Sequence, residues 1–151
     1  MERRYRTARV GVIDPEYLTL EDSIYALRVL GVGPVRDIGL LDSALARPRS
    51  SAFGSDAYAT LELKAAALLH SLLKNHPLVD GNKRLGWFCV ASFLGLNNAY
   101  PQISHDAAFQ LVIEIASGSL ELDEIARRLG VRSDSASGSL AEGEVVGLDS
   151  R

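Results

Sequence analysis

The sequence is poor in the residues that staple small proteins or anchor them in lipid. Of its 151 residues one is cysteine, one methionine and one tryptophan. A single cysteine excludes an internal disulfide, and so excludes the disulfide-rich secreted scaffolds; it fits a reducing compartment. Its neighbours Trp87, Phe88, Val90 and Ala91 mark Cys89 as a buried structural thiol rather than a nucleophile. No apolar run reaches the roughly 18 residues that a membrane-crossing helix needs. Arg3, Arg4, Arg6 and Arg9 are not followed by the apolar core of a signal peptide, so a cytoplasmic location is the expectation. Neither sign of charge is in large excess, the formal net charge being −3. That balance gives no overall pull on nucleic acid or an anionic membrane, so neither is an expected partner. Any electrostatic function must be local.

What is present is helical spacing. A chain of this length is most simply one domain, burying roughly two thirds of its unfolded surface. Residues 1–16 read as irregular, with RVGVI a short strand at best and the arginines a solvated terminus. Thr19 and Asp22 have the spacing of a capping box. They open a helix with Ile24, Leu27 and Leu30 on one face, which Gly31, Gly33 and Pro34 end. The G-x-G of GVGPVRDIG follows a helix and runs into Pro34, so it is punctuation and not a dinucleotide turn. Asp37 opens a second short helix, ended at Arg47-Pro48. Residues 47–59, RPRSSAFGSDAYA, have the composition of a surface loop.

Thr60 caps the next helix, Leu61 to Asn75, which is apolar almost all round and should lie at the centre. Within it His70 has no ligand partner at the following turn, where Leu73 and Lys74 stand, and reads as a core or semi-buried histidine. Lys74 is either solvated or close enough to serve the loop that follows. A further apolar helix runs to Leu96, stopped by Asn97 and Asn98, with its aromatics in the core. Ser104 caps another, whose first residue His105 is given no role. Ser119 is placed as the cap of the last helix. That helix carries Glu121, Asp123 and Glu124 early and Arg127 and Arg128 late, as the helix dipole prefers. From Val131 onward the Ser/Gly/acidic composition cannot order itself. The chain thus divides into a domain of residues 1–130 and a flexible tail of 131–151. The fold class expected is all-α, a bundle of about six helices with at most a short β-hairpin.

Chemistry concentrates in HPLVDGNKR, residues 76–84, between the two most apolar helices. Pro77 disfavours helical geometry at His76, so one helix must end near Asn75. Gly81 sits where the next begins, with Asn82, Lys83 and Arg84 in its first turn. Cations at a positive helix end break the usual rule, and they make sense where a strong anion docks. Free amides of Gly81 and Asn82 with Lys83 and Arg84 suit a phosphate. Asp80 can hold a magnesium ion bridging phosphates. His76 supplies a proton acceptor.

This stretch resembles the Fic/Doc family motif, commonly HPFx(D/E)GN(G/K)R. The surrounding YLTLED, VRDIGLLDSALARP and LKAAALLHSLLKN are similar to the Doc (death on curing) branch, in that order. The resemblance spans residues 17–128. It implies a compact Fic-like helical bundle, a hairpin flap over residues 47–59 that pairs with target backbone, and ATP with magnesium at the motif. It further implies a toxin held by a small cognate antitoxin. Its catalytic groups would be His76, Lys83 and Arg84, with Gly81, Asn82, Lys83 and Arg84 on phosphate and Asp80 on metal. Fic relatives transfer AMP and carry Gly in place of Lys83 and a second Arg in place of Trp87. Doc-type relatives have the lysine and move the γ-phosphate, by resemblance to a threonine of elongation factor Tu, which stops translation. Lys83 and Trp87 therefore favour a protein kinase over an adenylyltransferase. A non-catalytic interaction domain is the alternative of another class, and it predicts loss of the histidine or the charged cluster. Leu78 departs from the family's Phe, as does the LGW after Arg84 from its small polar start.

Overall fold

In the computed structural model the residues described are 14–134. The N-terminal arginines with the RVGVI segment, and residues 135–151 of the expected tail, lie outside them. Six helices carry this part of the chain: α1 (Leu20–Leu30), α2 (Ile38–Ala46), α3 (Leu61–Asn75), α4 (Asn82–Leu96), α5 (His105–Ser117) and α6 (Leu122–Leu129). A 3₁₀ turn, Arg47–Arg49, extends α2. Strands β1 (Ser51–Ala52) and β2 (Ser55–Asp56) pair as the hairpin within residues 47–59, and β3 (Ala99–Pro101) pairs antiparallel with β4 (Val131–Ser133). The helical bundle expected from the spacing is the one observed.

The caps explain the boundaries. Thr19 accepts from the Asp22 amide while the Asp22 carboxylate accepts from Thr19, a complete capping box. Asp37, Thr60 and Ser104 each accept an amide from the first turn of α2, α3 and α5. Asn97 stops α4 with its side chain, donating to Phe93 O (2.8 Å) and Glu16 O (2.9 Å) while accepting from the Glu16 amide (2.8 Å). That arrangement ties the segment before α1 to the far end of the motif helix.

Helix α3 is central. It packs against α2, α4, α5, α6 and the 3₁₀ turn, and residues 64–69 and 71–73 are all buried. Leu69 and Leu72, at 0% exposure, each contribute about 2 kcal/mol relative to solvent. Gly86 lets α4 lie close, since a Cβ there would stand 3.3 Å from Leu69 Cδ1 and 3.4 Å from Leu73 Cδ2. Tyr17 stacks on Phe93 at 5.9 Å.

One buried residue breaks the apolar pattern of α3. Lys64 is 1% exposed, and it is satisfied by Asp56 Oδ2 (3.2 Å), Pro48 O (3.3 Å) and the face of Tyr17. An unpaired ammonium could not be held there. The lysine thus fastens β2 and the 3₁₀ turn to the centre of the bundle.

Two expectations need correction. Helix α6 starts at Leu122 with Glu121 at its N-cap, so Ser119 is no cap and Glu121 is outside the first turn. Leu120 and Leu122 both pack on the core, and an extended lead-in lets both reach it. The ordered fold also runs past residue 130. Gly130, at φ 57°, turns the chain back, and Ala99↔Ser133, Tyr100↔Arg132 and Pro101↔Val131 pair. A three-residue strand is too short to show periodicity in sequence.

Cys89 is 2% exposed, and burial pushes its thiol up to about 12. We expect it to resist a soluble thiol reagent at pH 8 in the native protein and to react once per chain in denaturant. Native labelling at the denatured rate would contradict this packing.

Candidate functional site

The joint between α3 and α4 is a loop of five residues, Pro77 to Gly81, with His76 leading into it. His76 adopts left-handed backbone, φ 52° and ψ 57°, a conformation that costs a non-glycine residue about 1–3 kcal/mol. Something must hold it. The holding element is the loop between α1 and α2, which lies antiparallel beside the motif loop. Arg36 N–H donates to Pro77 O (2.7 Å), joined there by Asp37 N–H (3.1 Å). Val79 N–H donates to Pro34 O (2.9 Å), and Gly33 N–H to Asp80 O (3.1 Å). GVGPVR, which reads as punctuation, is therefore also the brace of the site.

Leu78 points down. It is fully buried, so the smaller side chain in place of the family's Phe still anchors the loop. Asn82 completes the anchorage: its Oδ1 accepts from Leu78 N–H (2.9 Å) and its Nδ2 donates to Leu78 O (3.0 Å). Its side chain is buried and engaged, which leaves only its backbone amide for an anion. Gly81 is required on two counts. Its φ is +94°, and a Cβ would stand 2.4 Å from Val32 Cβ.

Around this fixed loop the predicted polar groups face solvent. His76, Asp80, Lys83 and Arg84 are exposed. Among the described residues their side chains have no hydrogen-bond or ion-pair partner. Helix α4 has no side-chain cap, and the amides of Asn82, Lys83 and Arg84 meet no acceptor within the described residues. Among the described residues, three N–H groups, two cations and a carboxylate without partners thus gather at one helix start, with the histidine at the other end of the loop. This is the electrostatic signature of an anion site.

A magnesium ion bound together with phosphates needs only one or two protein carboxylates. Asp80 fits that requirement, being exposed and, among the described residues, unpaired. Among the described residues no three His, Cys, Asp or Glu side chains gather as a structural zinc site demands. Lys74 is not part of the site, because its ammonium donates to Gly118 O at the end of α5.

A cleft of about 460 Å³ opens beside the joint, lined by Ser43, Ala46, Arg47, Ser50, Ser71 and Asn75. It runs from the base of the hairpin to the residue before His76. Arg47 organises its wall, donating to Tyr58 Oη (2.8 Å), Ser71 Oγ (2.9 Å) and His70 Nδ1 (2.8 Å). A guanidinium only donates, so Nδ1 accepts and His70 is neutral with its proton on Nε2. Burial first, then the charges of Arg47 and Lys74, hold its pKa below the usual value, against the pull of Glu121. The half-buried histidine expected here is thus a partner of Arg47.

Sequence reasoning missed Arg36, Lys64 and the second role of Val32 to Val35. One signal was available: Pro77 follows a helix end, and it lacks the N–H that normally closes one.

Comparisons with known proteins agree with the motif. The model of the Fic/DOC family matches residues 16–94. A curated relative named Toxin Doc, from Mycolicibacterium smegmatis, is 46% identical over 118 residues, which is 76% of this chain and 91% of the relative.

Replacing Asn82 by Ala should destabilise the protein by about 2–4 kcal/mol, since two buried backbone groups of Leu78 lose their partners; denaturant melts measure this. For His70 the neutral form is the folded one. Its stabilising contribution is therefore present above pH 6.5 and lost as pH falls below that value toward the lowered folded pKa. Thermal melts between about pH 7.5 and 5 should show a steeper loss for the wild type than for His70→Gln. Parallel slopes would contradict the neutral assignment.

Proposed function

The chain belongs to the Fic/DOC family, and on that premise we propose that it is a Doc-type toxin acting as an ATP-dependent protein phosphotransferase. The observation that carries the reading is the set of groups at the start of α4 that are unpartnered among the described residues: amides of residues 82–84, Lys83, Arg84 and Asp80, with His76 at the other end of the loop. A triphosphate satisfies all of them at once. Nothing smaller or neutral needs two cations, a carboxylate for magnesium and a base together.

Each side chain has a role that follows from its chemistry. The amides and Lys83 hold the phosphates; Arg84 neutralises charge on the group in transfer, where positioning and electrostatics supply most of the rate. Asp80 would hold magnesium, which draws charge from the phosphate oxygens. His76 takes the proton from the attacking hydroxyl. Gly81 allows the backbone turn, while Asn82 contributes its amide and fixes the loop by its side chain.

Transfer of the γ-phosphoryl group rather than AMP is favoured by two residues. Lys83 is exposed in the first turn, so bulk and charge occupy the place where a glycine would leave bare backbone. Trp87 is half-buried and packed on the core, and it offers no guanidinium fork for a second phosphate contact. The acceptor we infer is a threonine of elongation factor Tu in the cytoplasm, its modification stopping translation, with a small cognate antitoxin as the controlling partner. The intact histidine and charged cluster weigh against a purely non-catalytic interaction domain.

With magnesium and elongation factor Tu, ATP labelled at the γ-phosphate should mark the target and α-labelled ATP should not. The reverse pattern identifies an adenylyltransferase, and no label from either removes the enzymatic reading. His76→Ala should lower transfer by about 10²–10⁴-fold while ATP remains bound.

A further inference from the structure

Helices that end in a left-handed residue ordinarily close by donating the amides of that residue and the next to carbonyls of the last turn. Helix α3 ends in left-handed His76, but the next residue is Pro77, which has no amide hydrogen. The carbonyls of Asn75 and His76 lie beyond the reach of such amides in any case, and they need a donor from elsewhere in the fold. Arg36 supplies it. Its Nε and Nη2 donate to His76 O at 3.1 and 2.7 Å, and Nη2 also donates to Asn75 O at 3.2 Å. Its own backbone N–H donates to Pro77 O at 2.7 Å. One residue thus grips the chain on both sides of the His76 φ/ψ pair, while Asn75 Nδ2 is tied to Leu40 O at 3.1 Å.

We propose that Arg36 is a positioning residue for His76. Its guanidinium fork holds the histidine in the left-handed backbone conformation and so aims the imidazole out over the start of α4. The fork is suited to this role because it is planar, always charged, and complements the negative end of a helix. A lysine could reach one carbonyl but could not span two with fixed geometry. The inference rests on the proposed role of His76 as proton acceptor. It adds that the orientation of that base is set from the α1–α2 loop, outside the motif.

The test uses the full chain with Arg36→Ala and Arg36→Lys. Arg36→Ala should lower kcat for transfer by about a hundredfold, as loss of aim at a reacting group does, with KM for ATP within about twofold of wild type. Added guanidinium ion should restore part of kcat to Arg36→Ala and none to wild type, because the vacated position is exposed. Arg36→Lys, which keeps the charge, should show an intermediate kcat and decides the matter should Arg36→Ala prove too unstable to purify. A loss shared equally by kcat and KM, or no loss, overturns the proposal. The ¹³C carbonyl resonance of His76 reads the same contact without any turnover. It should move upfield in Arg36→Ala, and an unmoved resonance overturns the proposal even if the wild type transfers nothing. Absence of transfer by the wild type instead counts against the phosphotransferase reading.

Discussion

Pro77 removes an amide hydrogen where a helix most needs one, and the joint between α3 and α4 is arranged around that loss. The chain must leave α3 through a left-handed histidine, pass a buried leucine and enter α4 through a left-handed glycine, within six residues. The left-handed histidine is unfavourable alone. The steps hold because the α1–α2 loop lies alongside and exchanges backbone hydrogen bonds with residues 77, 79 and 80, while Val32 fills the space a side chain at Gly81 would take. The loop is therefore rigid though its polar side chains are exposed.

Rigidity beneath the loop comes from α3 and α4. Both present apolar residues to one core, and Gly86 brings them into close contact. Leu78 and Asn82 then fasten the loop to that base from above. On the other side of the cleft, Lys64 and Arg47 bind the hairpin and the 3₁₀ turn to α3 through charge-assisted hydrogen bonds. These inward-facing charges are partnered, and the contrast with the start of α4 is physical. There, cations sit at the positive end of a helix whose own first turn holds no acid. Helix α6, with acids in its first turn and arginines in its last, shows the arrangement that stability alone selects.

The Fic/DOC assignment fits that contrast. A phosphoryl-transfer site has little covalent work to do and depends on fixed dipoles and charges waiting for an anion. On the proposed reading, the strain at His76 and the amides of residues 82–84, unmet among the described residues, are the form such waiting would take in this chain.

Much of this was determined by sequence alone. The capping pairs at Thr19, Asp37, Thr60 and Ser104, the apolar run of α3 and the stop at Asn97 are local signals, and they gave five of the six helices to within a residue or so. The motif residues were legible for the same reason: nine consecutive positions carry a base, a carboxylate, two cations and a required glycine. Tertiary structure alone decided the rest. Helix α6 begins late because the core claims both Leu120 and Leu122, and β4 forms because Gly130 returns the chain to a strand far earlier in sequence. The brace over the motif, the buried Lys64 and the grip of Arg36 on His76 join residues far apart along the chain. No periodicity or local composition encodes such pairings, since their energy exists only after the helices have packed.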